Sequence, residues 1–214
     1  ELEKFFSNPC EASGLLIAEA PTGYGKTYET IQAIYRYIEK GGKSQILFIT
    51  NLLKNLPEDE LRSIYEQNGR GALFKKEVLV LSSVVSNVEK VILTENIPPE
   101  FQTDAYQELL SACQKKKQYQ QQFGEAGKDI TKHIDDQIRK KLEPQFRREL
   151  EVHLQKTFPG GPGPRRDAIR NKKKYKWMAT FYPAIFWTEY KVLLLSVKKL
   201  MARNISLVAP SFDC

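Results

Sequence analysis

The fold is decided by residues 20–27, which read Ala20-Pro21-Thr22-Gly23-Tyr24-Gly25-Lys26-Thr27. The short apolar run 14–19 before this stretch predicts a buried strand. Residues 28–40 after it carry isoleucines and a tyrosine at the spacing of an amphipathic helix. A strand, a glycine-rich turn and a helix in this order predict an α/β fold with a partial parallel sheet of the P-loop type.

The chemistry of the turn favours a polyphosphate ligand. Its two glycines let the backbone curl so that successive N–H groups point inward, and the following helix adds the positive end of its dipole. Lys26 would reach the β- and γ-phosphates, and the Thr27 hydroxyl would bind Mg²⁺. A turn that merely joins a strand to a helix is the alternative. The nucleotide site is expected to comprise Thr22, Gly23, Tyr24, Gly25, Lys26 and Thr27.

Residues 20–27 look like motif I of the superfamily 2 helicases and translocases, A-x-T-G-x-G-K-T, and residues 19–27 are also similar to CRISPR-associated helicase–nucleases. Residues 48–56, which begin within a second predicted strand at 45–50, lie where motif Ia of that superfamily would lie. The resemblance implies a RecA-like lobe that binds ATP and Mg²⁺, with Lys26 and Thr27 as catalytic residues. It also implies that Thr50 and Asn51 contact a nucleic-acid backbone.

The chain is expected to contain three parts. Residues 1–96 would form the RecA-like core, with a helix at 56–68 and a third strand at 77–81. Residues 97–164 would form a helical insertion, because isoleucines and leucines recur every four residues there, and the insertion would end in a loop rich in Pro and Gly, 158–164. Residues 165–214 would return to the core as a basic segment, a buried helix at 181–203 and a strand at 205–209.

The basic segment is a candidate nucleic-acid contact. Between residues 165 and 176 there are seven positive charges, and Tyr175 and Trp177 beside them could stack on bases. A solvated basic surface with both aromatic rings packed inward is the alternative. The predicted contact residues are Arg165, Arg166, Lys172, Lys173, Lys174 and Lys176.

Composition favours a soluble protein with polyanionic partners. Thirty-three Lys and Arg against 26 Asp and Glu give a formal net charge of +7. No apolar run is long enough to span a membrane, so no membrane partner is expected. The three cysteines lack metal-ligand spacing and indicate a reducing, cytoplasmic compartment. His133 and His153 are expected to be solvated surface residues.

Two functions remain open at this point. In the first, the chain is the ATP-binding part of a helicase or translocase, and its partners are DNA or RNA and a second RecA-like lobe. No apolar run is followed by the Asp-Glu pair of motif II, so we expect the chain to be the N-terminal piece of a longer protein and to turn over ATP poorly. In the second, the chain is a P-loop module that gates a protein partner without hydrolysis.

Overall fold

The computed structural model describes residues 25–201. Thr22, Gly23 and Tyr24 and the predicted strands 14–19 and 205–209 lie outside these residues. The strands are β1 (Ile46–Thr50), β2 (Val78–Val80) and β3 (Val192–Ser196). The helices are α1 (Lys26–Glu39), α2 (Glu58–Gln67), α3 (Gly71–Glu77), α4 (Val84–Thr94), α5 (Asp104–Phe123), α6 (Lys128–Gln137), α7 (Glu143–Thr157), α8 (Pro162–Asn171), α9 (Trp177–Phe181) and α10 (Val197–Met201).

The described residues divide into two compact units. Unit 1 comprises residues 25–81 and 187–198, and unit 2 comprises residues 82–186 and 199–201. The chain is an α/β protein, as predicted, because unit 1 contains a parallel sheet and unit 2 is helical. Unit 2 begins at residue 82, earlier than the expected start of the helical insertion at 97.

The sheet of unit 1 has three parallel strands in the order β1-β3-β2. β1 and β2 confirm the strands predicted at 45–50 and 77–81. The buried helix predicted at 181–203 is wrong, because residues 192–196 form the central strand. Four consecutive aliphatic side chains, Val192 to Leu195, are fully buried there. A strand covered on both faces reads as a continuous apolar run, and such a run also satisfies helical spacing.

Glu77 ties the starts of β2 and β3 together. Its backbone carbonyl accepts a hydrogen bond of 2.9 Å from the N–H of Lys191, and its carboxylate lies 2.9 Å from the Lys191 ammonium. Tyr65 of α2 donates its hydroxyl to the same carboxylate at 3.0 Å. These contacts lie one residue before the paired residues Val78 and Val192, so they help to fix the register of the two strands.

The core of unit 1 packs helices against one face of the sheet. The apolar stripe of α1 and that of α2 cover Val192 and Leu194 of the central strand. Three rings add edge-to-face contacts, with centroids 5.1 Å apart for Tyr35 and Tyr65 and 5.5 Å apart for Tyr65 and Phe74. The predicted period of 3.6 residues in α1 and α2 therefore corresponds to their buried faces.

The aliphatic stripe of the insertion forms much of the core of unit 2. Ile130 is exposed, but the stripe is buried at Ile134, Ile138, Leu142, Phe146, Leu150 and Leu154. Helix α6 continues into α7 through a π-helical turn, Ile138–Leu142. A proline ring clashes with the carbonyl four residues before it, and the wider π turn makes room for Pro144 in the first turn of α7.

The loop predicted at 158–164 extends only to residue 161. Helix α8 begins at Pro162, directly after Gly161, whose φ of 94° belongs to the region that favours glycine. Proline is tolerated in the first turn of a helix, because the N–H that it lacks would have no partner within the helix. The residues expected to break a helix therefore start one.

A buried lysine joins three helices of unit 2. The side chain of Lys116 in α5 is 8% exposed, and its ammonium lies 2.7 Å from Glu89 in α4 and 2.6 Å from Asp135 in α6. Burial alone would lower the pKa of Lys116, but the two carboxylates outweigh burial and raise it. The lysine is therefore charged, and it holds two carboxylates that would otherwise repel each other.

Replacing Lys116 by methionine is expected to lower the free energy of unfolding by about 2 kcal/mol, because two neighbouring carboxylates lose their counter-charge. Glu89 and Asp135 are 28% and 30% exposed, so water can hydrate them and the loss stays below that of a fully buried ion pair. Urea denaturation followed by circular dichroism measures the change. The matched control is Lys117→Met, at an exposed neighbour. Equal stability of the two variants would show that the ion pairs contribute nothing.

Candidate nucleotide site and basic surface

The start of α1 follows a glycine in the left-handed backbone region. Gly25 lies directly before the helix with φ 67° and ψ 20°, in the left-handed region. An added Cβ would meet no heavy atom within 4 Å, so the backbone conformation and not lack of space favours glycine here. The first intrahelical hydrogen bond runs from the N–H of Glu29 to the carbonyl of Gly25 at 2.9 Å. The first turn of α1 therefore begins directly after Gly25.

Lys26 and Thr27 occupy the first turn of α1, and both are exposed. The first N–H groups of a helix have no carbonyl partners within it, and the helix dipole adds partial positive charge at the same end. A triphosphate uses donors and positive charge of this kind, and Mg²⁺ bound to it needs few protein ligands beyond a hydroxyl. The described half of the predicted site thus consists of an exposed helix N-terminus that carries a lysine and a threonine.

Thr50 and Asn51 lie at the carboxyl end of β1, the edge at which parallel sheets bind ligands. Thr50 is paired with Ser196 of β3, and its hydroxyl donates a 2.8 Å hydrogen bond to the carbonyl of Leu52. Asn51 is exposed. Both residues belong to unit 1 together with Gly25, Lys26 and Thr27, whereas the basic segment belongs to unit 2.

The six predicted contact residues of the basic segment differ in how they are engaged. The Arg165 Nε donates to the carbonyl of Phe158 at 3.2 Å, and the Lys172 ammonium lies 4.6 Å from the centre of the Phe158 ring. Lys174 forms an ion pair of 2.6 Å with Glu100.

The other three predicted contact residues are Arg166, Lys173 and Lys176. The Nε atom of Arg166 is buried and has no hydrogen-bond partner among residues 25–201. Lys173 and Lys176 are exposed, and within the described part of the chain neither has an acidic partner. These two lysines are therefore the freest cations of the segment.

Tyr175 and Trp177 do not stack on bases, because they are only 4% and 5% exposed. The Tyr175 ring packs edge-to-face on Phe158 with centroids 5.5 Å apart, and the Trp177 Nε1 donates to the carbonyl of Lys174 at 3.1 Å. The alternative predicted from the sequence, a basic surface with both rings inward, describes the structure. Interleaving of charge and aromatic residues does not reveal the direction in which the rings point.

Unit 2 contains a pocket of about 430 Å³ that was not predicted from the sequence. Its floor is apolar, and its rim carries charged residues of α7. His153, expected to be a solvated surface residue, lines this pocket and is half-buried. Its ring lies 4.8 Å from Phe101, and its Nε2 lies 3.2 Å from the Tyr175 hydroxyl. Burial, with a smaller effect from the charge of Lys174, lowers the pKa of His153, so the ring is neutral at physiological pH.

Comparison with known proteins assigns no family to this chain, since no family profile and no curated protein sequence matches it. Among the helices of residues 25–201, none combines the length and the apolar character needed to cross a membrane.

Proposed function

We propose that this chain is the ATP-binding portion of an ATP-dependent nucleic-acid helicase or translocase of the superfamily 2 type. The left-handed Gly25 directly before α1, with Lys26 and Thr27 in the first helical turn, carries the proposal. The parallel sheet supports it, because strands that run the same way bring their carboxyl ends, and Thr50, to one edge.

Each residue of the nucleotide site has a defined role in this proposal. Lys26 binds the β- and γ-phosphates, Thr27 binds Mg²⁺, and Thr22, Gly23, Tyr24 and Gly25 cradle the phosphates. Mg²⁺ held by Thr27 would neutralise charge on the phosphates. None of the three described strands is followed by an Asp-Glu pair. We therefore propose that this chain binds ATP but needs further residues, including those of a second RecA-like lobe, for rapid hydrolysis.

A module that gates a protein partner is the second candidate, and one observation favours it. Unit 1 exposes four aliphatic side chains in and after β1, namely Leu47, Ile49, Leu52 and Leu53. Exposed apolar patches of this kind are typical of protein interfaces. The two candidates differ in whether the chain binds nucleic acid.

The exposed lysines of the basic segment provide the test between the candidates. The variant Lys173→Gln/Lys176→Gln is expected to bind a fluorescent single-stranded oligonucleotide about 10-fold more weakly at low salt, and the slope of log K against log salt should fall by about 1.4 because two phosphate contacts are lost. Fluorescence anisotropy across a salt series measures both quantities.

The control Lys75→Gln/Lys76→Gln removes the same charge from exposed positions of α3 in unit 1. It should retain the affinity and the slope of the unaltered chain. If the chain binds neither DNA nor RNA strands, the helicase proposal is wrong and the partner-gating module is favoured.

A further inference from the structure

The pocket of unit 2 lies between the segment around Phe101 and the helix α7. Its floor consists of Phe101, Phe146 and Leu150, each at most 2% exposed. The Phe101 ring also meets His153 edge-to-face. A pocket of about 430 Å³ is within the range of roughly 300–1,000 Å³ that small-molecule sites occupy. An apolar floor with a neutral imidazole at its side suits a flat aromatic group.

The charged residues at the rim of the pocket differ in whether they already have a partner. Two carboxylates are already engaged, since Glu100 pairs with Lys174 and Glu149 accepts a hydrogen bond from the Thr103 hydroxyl. Arg148 and Lys156 are exposed, and neither has an acidic partner within residues 25–201. Glu149 keeps its negative charge, because a hydroxyl group does not neutralise a carboxylate, but the two cations outnumber it. The net unpaired charge of the rim is therefore positive, which complements an anionic ligand.

The two free cations lie on one face of α7. Arg148, Val152 and Lys156 are spaced by four residues, so they follow one another along the helix with about 12 Å between the first and the last, at 1.5 Å per residue. Val152, 47% exposed, forms the pocket wall between them. A ligand with an aromatic group in the pocket would place negative groups beside both cations.

The pocket also adjoins the basic segment. Lys174 contacts the rim through Glu100 at 2.6 Å, and Tyr175 contacts His153 at 3.2 Å. Lys173 and Lys176 are therefore chain neighbours of two residues that contact the pocket lining. This continuity favours a polyanion that carries aromatic groups along its length, which is a single-stranded nucleic acid.

We propose that this pocket holds one unstacked base of a single-stranded nucleic acid, whose phosphates lie against Arg148 and Lys156. The inference rests on the proposed nucleic-acid binding and adds the place where a base is held. Only a base outside a duplex stack can reach the buried rings at the floor of this pocket, so the site selects single strands over duplexes. An acidic peptide with an aromatic side chain is the competing occupant.

Three probes test the base pocket by fluorescence anisotropy: a 12-mer of thymidine, a 12-mer of uridine and a 12-mer with the same backbone and no bases. The unaltered chain should bind the strands with bases about 10-fold more tightly than the abasic strand, since stacking of one base is worth about 1–3 kcal/mol. The variant Val152→Trp places an indole in the pocket, and the ratio should fall to near one with an unchanged salt slope. Gln155→Trp, at an exposed position outside the pocket, should keep the ratio.

The outcomes separate this inference from the proposed function. If no probe binds, the proposed nucleic-acid function fails, and the inference fails with it. If the base-containing and abasic strands bind equally, or if Val152→Trp retains or increases the ratio, nucleic-acid binding stands and the base pocket is wrong. An acidic peptide that contains phenylalanine provides the last outcome. If this peptide binds without displacing any strand, and if Val152→Trp abolishes its binding, the pocket belongs to a protein partner and the inference is overturned.

Discussion

Replacing Lys26 by alanine is expected to weaken binding of ATP with Mg²⁺ by about 10- to 100-fold. In the proposed function the lysine supplies a full positive charge to the β- and γ-phosphates, and a hydrogen bond to a charged group contributes about 1.5–3 kcal/mol. Alanine is a better helix former, so α1 should persist. Isothermal titration calorimetry of the chain with ATP and Mg²⁺ measures the dissociation constant.

The matched control is Lys40→Ala, at the exposed position directly after the last residue of the same helix. It removes the same charge at the opposite end of α1, and it should leave the dissociation constant unchanged. Equal ATP binding by the Lys26→Ala variant and the unaltered chain would refute the phosphate-binding role, and so would the absence of ATP binding by the unaltered chain.

Replacing Leu194 by alanine is expected to lower the free energy of unfolding by about 3–4 kcal/mol. Leu194 is fully buried in the central strand, where it pairs with Phe48 and Val80 and packs against the helices of unit 1. The substitution removes apolar contacts and leaves a cavity that the two flanking strands hold open. Urea denaturation monitored by circular dichroism gives the difference.

Leu47→Ala provides the comparison, because Leu47 lies in the same sheet but is 40% exposed. The same chemical change there should cost clearly less, about 1–2 kcal/mol, since two fifths of the Leu47 surface stays in water and water can occupy the space left by the side chain. Similar losses for the two variants would contradict the assignment of β3 as the buried centre of the sheet.

The elements with a clear period were predictable from the sequence. In α1 and α2 one face is buried and the other is solvated, so apolar residues recur at helical spacing. β1 and β2 were found as short apolar runs between helices. β3 was not predicted, because a strand that is buried on both faces shows no alternation of apolar and polar residues. The aromatic residues before it also extended an apparent helical pattern.

The candidate sites were predictable to different degrees. The glycine-rich turn predicts a phosphate site through local backbone chemistry, and the left-handed Gly25 is consistent with it. The identity of the ligand stays a prediction. The pocket of unit 2 could not be predicted, because Phe101 and His153 are 52 positions apart and meet only through tertiary packing. Likewise, the inward direction of Tyr175 depends on Phe101 and Phe158 and not on its basic neighbours.

The central place of β3 has a consequence for synthesis on the ribosome. β1 and β2 leave the ribosome first. Among the strands of residues 25–201 they pair only through β3, and residues 81–191 must be translated in between. At about 5–20 residues per second, that interval lasts roughly 6–22 s. During it both early strands lack their partner, while residues 82–186 can already pack their helices. The helices of unit 2 are therefore expected to pack together during translation, before the three strands pair.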